Sequence, residues 1–179
     1  MGFFIRKICV LFFCLNLCSG CDFVYGVLQK EGAQEKKILG DVTPSVYSEN
    51  VEHAQKLLRI HGCNPGAIDG KLGAKMREAI AGFQAKKSLP VTRFIDEKTW
   101  EALNVFTATG LVKNGEVDLA FVQGILRGGN FYSGKIDGKP GPKTTKAVKD
   151  FQQAHGLVPD GRIGPQTLAR LNEVFLGSP

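Results

Sequence analysis

Apolar positions along the chain fall into two matching sets. Val51, Ala54, Leu57 and Leu58 recur at helical spacing, and Leu119, Val122, Ile125 and Leu126 do the same. This pattern predicts amphipathic helices over 49–61 and 117–128, ended by Gly62 and by Gly128 with Gly129. Each is followed by an Asp-Gly turn, within Ile68-Asp69-Gly70-Lys71 and Ile136-Asp137-Gly138-Lys139. A second helix is expected after Gly73 and after Gly141, where Pro142 suits the first helical position because its missing N–H costs nothing there. Its apolar face is Ala79, Ile80 and Phe83 in one set and Ala147, Val148 and Phe151 in the other. A last short helix, Gln166 to Asn172, closes the second set.

The two sets are copies of one unit. Val51–Asn104 aligns with Leu119–Asn172 without a gap at a constant offset. Gly73 falls on Gly141, Lys75 on Lys143, Phe83-Gln84 on Phe151-Gln152, Thr99 on Thr167, and Leu103-Asn104 on Leu171-Asn172. The expected fold class is all-α, with two tandem three-helix bundles over 49–104 and 117–174. A tether is expected over 21–48 and a linker over 105–116. Units of about 55 residues bury only about 60% of their unfolded surface, so turn chemistry matters to their stability. Ile68, Ile136, Phe83 and Phe151 are expected in the cores, and Gln84 and Gln152 are expected to bond loop backbone.

The N-terminus points to export. Arg6 and Lys7 precede the apolar stretch Ile8–Leu17, and the small residues Ser19 and Gly20 follow. That is the layout of a signal peptide over 1–20, too short to span a bilayer stably. Cys18-Ser19-Gly20-Cys21 resembles the lipobox of bacterial lipoproteins, with Cys18 where an aliphatic residue is usual. The resemblance implies lipidation at Cys21 and an exported, membrane-anchored lipoprotein facing the periplasm or the cell wall. The cysteines are Cys9, Cys14, Cys18, Cys21 and Cys63. A lipidated Cys21 leaves Cys63 as the sole thiol of the mature chain, so no intramolecular disulfide framework is expected.

The loop residues carry a family resemblance. Gly134-Lys135-Ile136-Asp137-Gly138-Lys139-Pro140-Gly141-Pro142-Lys143-Thr144, then Ala147-Val148-Lys149-Asp150-Phe151-Gln152, resembles the type-1 peptidoglycan-binding domain, as does Gly156 to Thr167. That family repeats an Asp-Gly…Gly-Pro…Thr signature, present twice in the second copy. The first copy has Ala74 in place of proline, and Thr92-Arg93-Phe94-Ile95-Asp96-Glu97 replaces Asp160-Gly161-Arg162-Ile163-Gly164-Pro165. The resemblance implies an all-α cell-wall binding protein with peptidoglycan as partner. No nucleic acid and no cofactor are expected, and no enzymatic activity, because the tether, the linker and the few C-terminal residues outside the repeats could not hold a catalytic cleft of the usual volume. The competing reading is a protein-interaction scaffold, or a regulator of a cell-wall hydrolase, without direct polymer binding.

Net charge of +6 fits an anionic polymer but does not choose among such polymers. Candidate ligand contacts are polar residues shared by the copies: Arg59 and Arg127, Lys71 and Lys139, Lys75 and Lys143. Guanidinium or ammonium groups beside a helix N-terminus suit the free carboxylates of wall peptides. His61-Gly62-Cys63-Asn64 resembles the Ser/Thr-His-Gly-Cys motif of L,D-transpeptidases, with Ile60 in place of the hydroxyl residue. The repeat sets Cys63 on Phe131, so a buried apolar role is expected instead of catalysis. His53, His61 and His155 follow no metal-ligand spacing.

Overall fold

The computed structural model describes Gly26 and residues 29–177. The expected signal peptide and the Cys21 lipidation site lie outside the described residues. Module 1 contains α2 (Glu49–Ile60), α3 (Ala74–Lys86) and α4 (Glu97–Leu103), and module 2 contains α6 (Leu119–Gly128), α7 (Pro142–Ala154) and α8 (Pro165–Leu176). Helix α2 buries Val51, Ala54, Leu57 and Leu58, with Glu49 and Glu52 in its first turn and Arg59 in its last, matching the helix dipole. Phe83 and Phe151 are each 1% exposed at the centres of the two modules. The all-α expectation holds, apart from one two-stranded hairpin. Among the described residues no helix is long and apolar enough to cross a membrane.

The stretch expected as a tether holds a further helix, α1, over 29–39. Leu39 is buried in the module 1 core, and Asn50 Nδ2 donates to its carbonyl at 3.2 Å. Glu35 is buried too, and its Oε1 accepts from Arg77 Nη1 at 2.6 Å and from the Ile95 N–H at 2.8 Å. One leucine and one acid a turn apart make no visible periodicity, so the docking is tertiary. Among the described residues before α2, only 40–48 runs without helix.

The expected linker is also structured. It forms α5 (Val105–Ala108) and then strands β1 (Val112–Lys113) and β2 (Glu116–Val117). The strands pair antiparallel, Val112 with Val117 and Lys113 with Glu116. Asn114 and Gly115 join them with φ of 55° and 75°, the two positive values a tight hairpin turn requires. Phe106, Leu111 and Val112 are buried, so the connector supplies core to both modules.

Two smaller expectations are corrected, the burial of Ile68 and Ile136 and the end of α8. Ile136 is 39% exposed and Ile68 half-buried, because their turns are held by hydrogen bonds more than by packing. Helix α6 ends at Gly128 with Gly129 as its C-cap, as expected, and the left-handed residue is Asn130 at 63°, where module 1 uses Gly62 at 71°. Helix α8 runs beyond Asn172 to Leu176 and ends at left-handed Gly177. The altered second loop of module 1 keeps its backbone path nonetheless: Arg93 has φ 67° where Gly161 has 75°.

Candidate ligand-binding surface

The loops that face solvent are organised from beneath by buried glutamines. In module 2, Gln123 Oε1 accepts from the Asp137 and Gly138 N–H groups at 3.0 and 2.9 Å. Its Nε2 donates to Asp137 Oδ1, the Lys139 carbonyl and Thr144 Oγ1. Gln152 repeats the device in the second loop. Its Oε1 accepts from the Gly161 N–H at 2.8 Å, and its Nε2 donates to Asp160 Oδ1, the Arg162 carbonyl and Thr167 Oγ1. The Asp-Gly and the Thr of the signature are thus partners of one carboxamide, and its Gly-Pro starts the helix that follows. A buried carboxamide left unpaired would cost more than its bonds contribute.

Module 1 uses the same device with substitutions. Gln55 holds Asp69, Gly70 and the Lys71 carbonyl. Gln84 accepts from the Thr92 and Arg93 N–H groups and donates to Thr92 Oγ1, the Phe94 carbonyl and Thr99 Oγ1. Thr92 therefore stands in for the missing aspartate. Gln84 and Gln152 bond loop groups, as expected. Gln55 and Gln123 were not singled out by sequence reasoning, although they align in the repeat.

The turn aspartates are held below the usual carboxylate range. Asp69 owes this chiefly to Gln55, and Asp137 and Asp160 chiefly to the N–H groups of Lys139 and Arg162. They are ionised and committed to the turns. Lys71 and Lys139 lie two residues after Asp69 and Asp137, with backbone N–H groups on those aspartates at 3.0 Å and side chains in solvent.

Arg59 and Arg127 are partly committed as well. Arg59 Nη2 donates to the Gly66 carbonyl at 3.2 Å, and Arg127 Nη2 to the Gly134 carbonyl. Lys75 lays its stem along Gly66, so Arg59 and Lys75 meet there. Lys143 stands exposed in the first turn of α7. Helices α3, α7 and α8 begin at Gly73, Gly141 and Gly164 with no side-chain cap. Their first N–H groups and partial positive charge are open to an anion. Helix α4 is different, because Asp96 accepts from the Thr99 N–H at 2.7 Å and closes that end.

A groove of 480 Å³ lies where the modules meet, between His61, Gly62 and Lys86 of module 1 and Arg162, Gly164 and Pro165 of module 2. A Cβ on Gly62 would come within 2.9 Å of Pro165 Cγ, so the approach depends on glycine. Sequence reasoning treated the modules as independent and missed this groove.

The His-Gly-Cys sequence is not assembled for catalysis. His61 Nε2 bonds the Leu103 carbonyl at 2.9 Å, and its ring stacks on Phe106 at 4.8 Å. Cys63 is buried, and burial pushes its thiol up, away from the thiolate a nucleophile needs. His53 packs against Trp100, and His155 Nδ1 accepts from Arg170 Nε.

Burial, the largest cause, holds the His61 imidazole below the ordinary histidine value. The unfolded chain then takes up a proton below pH of about 6.5 before the folded chain does. Stability is therefore full above that pH and is lost as pH falls toward the depressed folded value. His53 and His155 are lowered as well and act in the same direction. Melting temperature should fall between pH 7.5 and pH 5, and by less in His61→Phe. A melting temperature that rises over this interval would contradict the assignment.

Comparison with known proteins agrees with this geometry. The family described as "Putative peptidoglycan binding domain" matches residues 47–103 and 110–171. The chain is 32% identical over 115 residues to the N-acetylmuramoyl-L-alanine amidase CwlM of Mycobacterium tuberculosis, covering 59% of this chain and 28% of that protein. It is 33% identical over 139 residues to the N-acetylmuramoyl-L-alanine amidase CwlL of Bacillus licheniformis, covering 73% of this chain and 37% of that protein. A shorter match, 40% over 57 residues, is to the carboxy-terminal processing protease CtpB of Bacillus subtilis, covering 32% of this chain and 12% of that protein. The chain thus spans about a third or less of these relatives. No solved structure matches. The two matched segments cover module 1 through Leu103 and module 2 through Leu171, and the chain belongs to this peptidoglycan-binding domain family.

Proposed function

We propose that this chain is an exported protein that binds peptidoglycan through its two modules without cutting it. The observation that carries the reading is the family match over both modules. Two relatives named as amidases of the wall polymer share this region, which supports the same polymer as ligand. Lys71, Lys75, Lys139 and Lys143 are the proposed anion contacts, with Arg59 and Arg127 bracing the loops between them. The raised Cys63 thiol and the engaged His61 favour binding over covalent chemistry.

The test is co-sedimentation of the full chain with purified insoluble peptidoglycan across a salt series. Retention is expected at physiological salt. Reversing the four lysines to glutamate should weaken it about tenfold, a modest sum for exposed charges. Unchanged retention in that variant would remove the lysines from the site. Retention of the native chain only at very low salt would mean generic charge attraction and would end the functional reading.

The proposal includes a lipid on Cys21, on the strength of the small residues before it. Metabolic labelling with a fatty-acid analogue should mark the chain, and the mark should disappear in Cys21→Ser. Label retained in that variant would exclude lipidation at this cysteine.

A further inference from the structure

The internal repeat allows the same hollow to be compared in two states. In module 1, α1 fills the hollow between the starts of α2 and α3 and the loop before α4. Val51, Leu72 and Ile95 beneath it are 0%, 5% and 0% exposed. The repeat sets Leu119, Pro140 and Ile163 on those residues, with Thr145 on Arg77 and Gly161 on Arg93. In module 2 these residues line an open groove of 270 Å³. Leu119 and Ile163 are only half-buried there, and Pro140 is exposed.

The module 1 hollow is fitted to a carboxylate. Glu35 places its Oε1 on the Ile95 N–H at 2.8 Å and on Arg77 Nη1 at 2.6 Å, while Leu39, one turn on, enters the apolar floor. In module 2 the equivalent N–H belongs to Ile163, and no acceptor faces it among the described residues. Lys149 runs its stem past Gly161 on the rim, so a cation is again at hand. The α7 start at Gly141, which no side chain caps, borders the same groove.

We infer that the module 2 groove is a seat for a peptide carboxylate with an aliphatic side chain beside it, and that α1 is the built-in occupant of the equivalent seat in module 1. The inference rests on the peptidoglycan reading for its ligand, a wall stem peptide with its free carboxylate and methyl groups. The carboxylate sits on the Ile163 N–H, and a methyl group takes the place Leu39 has in module 1. Module 1 keeps its fold but spends this seat on α1, so recognition through this seat falls to module 2, while the exposed lysines of both modules stay available to the polymer.

The experiment titrates a purified soluble muropeptide into the full chain, followed by amide NMR shifts. Native protein is compared with Thr145→Glu and Thr145→Arg. Thr145 is exposed on the groove rim, so both variants should fold, which a thermal melt checks. Shifts are expected at Gly161 and Ile163. Thr145→Glu should bind about fivefold more weakly, and Thr145→Arg, which restores the counterpart of Arg77, more tightly. Equal affinity in the three proteins would overturn the inference, as would shifts confined to Lys86 and Arg162 between the modules. If native protein is still retained on insoluble wall in that case, the peptidoglycan reading survives alone. If it is not retained, the ligand assigned here falls with that reading. A synthetic peptide of residues 29–42 that then shifts Ile163 would give the groove to α1 of a second copy.

Discussion

Gln152→Leu is expected to destabilise the protein by about 3 kcal/mol, although leucine fills a similar volume. The substitution keeps the burial and deletes the hydrogen bonds. Gln152 is 2% exposed and binds four groups of the second loop. Without it the Gly161 N–H, the Arg162 carbonyl and the Thr167 hydroxyl lose their shared partner. Each buried polar group left unpaired costs about 1–3 kcal/mol, and partial access to water reduces the sum. Small modules have little reserve against such a loss. Urea unfolding at neutral pH measures it, with Gln153→Leu on the exposed face of the same helix as control. The control should change stability by less than about 0.5 kcal/mol. A Gln152→Leu protein within 1 kcal/mol of native, taking about 1 kcal/mol as the net value of one hydrogen bond, would show that the loop holds itself.

The contrast between Gln152 and α1 shows what a sequence of this kind discloses. The repeat exposed the helices, the Asp-Gly turns and the Phe83 and Phe151 cores, because each rests on contacts close along the chain. Gln84 and Gln152 were legible because each follows a core phenylalanine in the repeated Phe-Gln pair. Gln55 and Gln123 reach partners fourteen or more residues ahead, so only their alignment in the repeat hinted at them. Glu35 is 42 residues from Arg77 and 60 from Ile95, and no local pattern announces a bond of that span. The charged candidates were found as residue types, but the sequence did not show that Arg59 and Arg127 spend donors on their own loops. The groove between the modules was illegible, because it exists only once Gly62 and Pro165 come together.

Phe106→Ala should cost about 3–5 kcal/mol, the usual loss for a large buried aromatic ring. Phe106 lies in the segment the sequence presents as a linker, where a substitution would shift stability by no more than about 0.5 kcal/mol. The two readings therefore differ by several-fold in one measurement. Phe106 is 4% exposed and its ring stacks on His61 at 4.8 Å, with Phe83 on another side of the same imidazole. Helix α5, which carries it, also packs on α8 of module 2. Removing the ring leaves a cavity under His61 and loosens the hold of module 1 on module 2. At this chain length the loss corresponds to roughly 10 °C in melting temperature. The native chain should unfold in one transition, because Phe106, Leu111 and Val112 join the two cores. In Phe106→Ala the transition should broaden or split as the modules begin to unfold separately. A melting temperature unchanged within about 2 °C, equivalent to less than 1 kcal/mol, would return 105–116 to the role of a linker. The modules would then be free to bind independently, with only the avidity of two tethered sites.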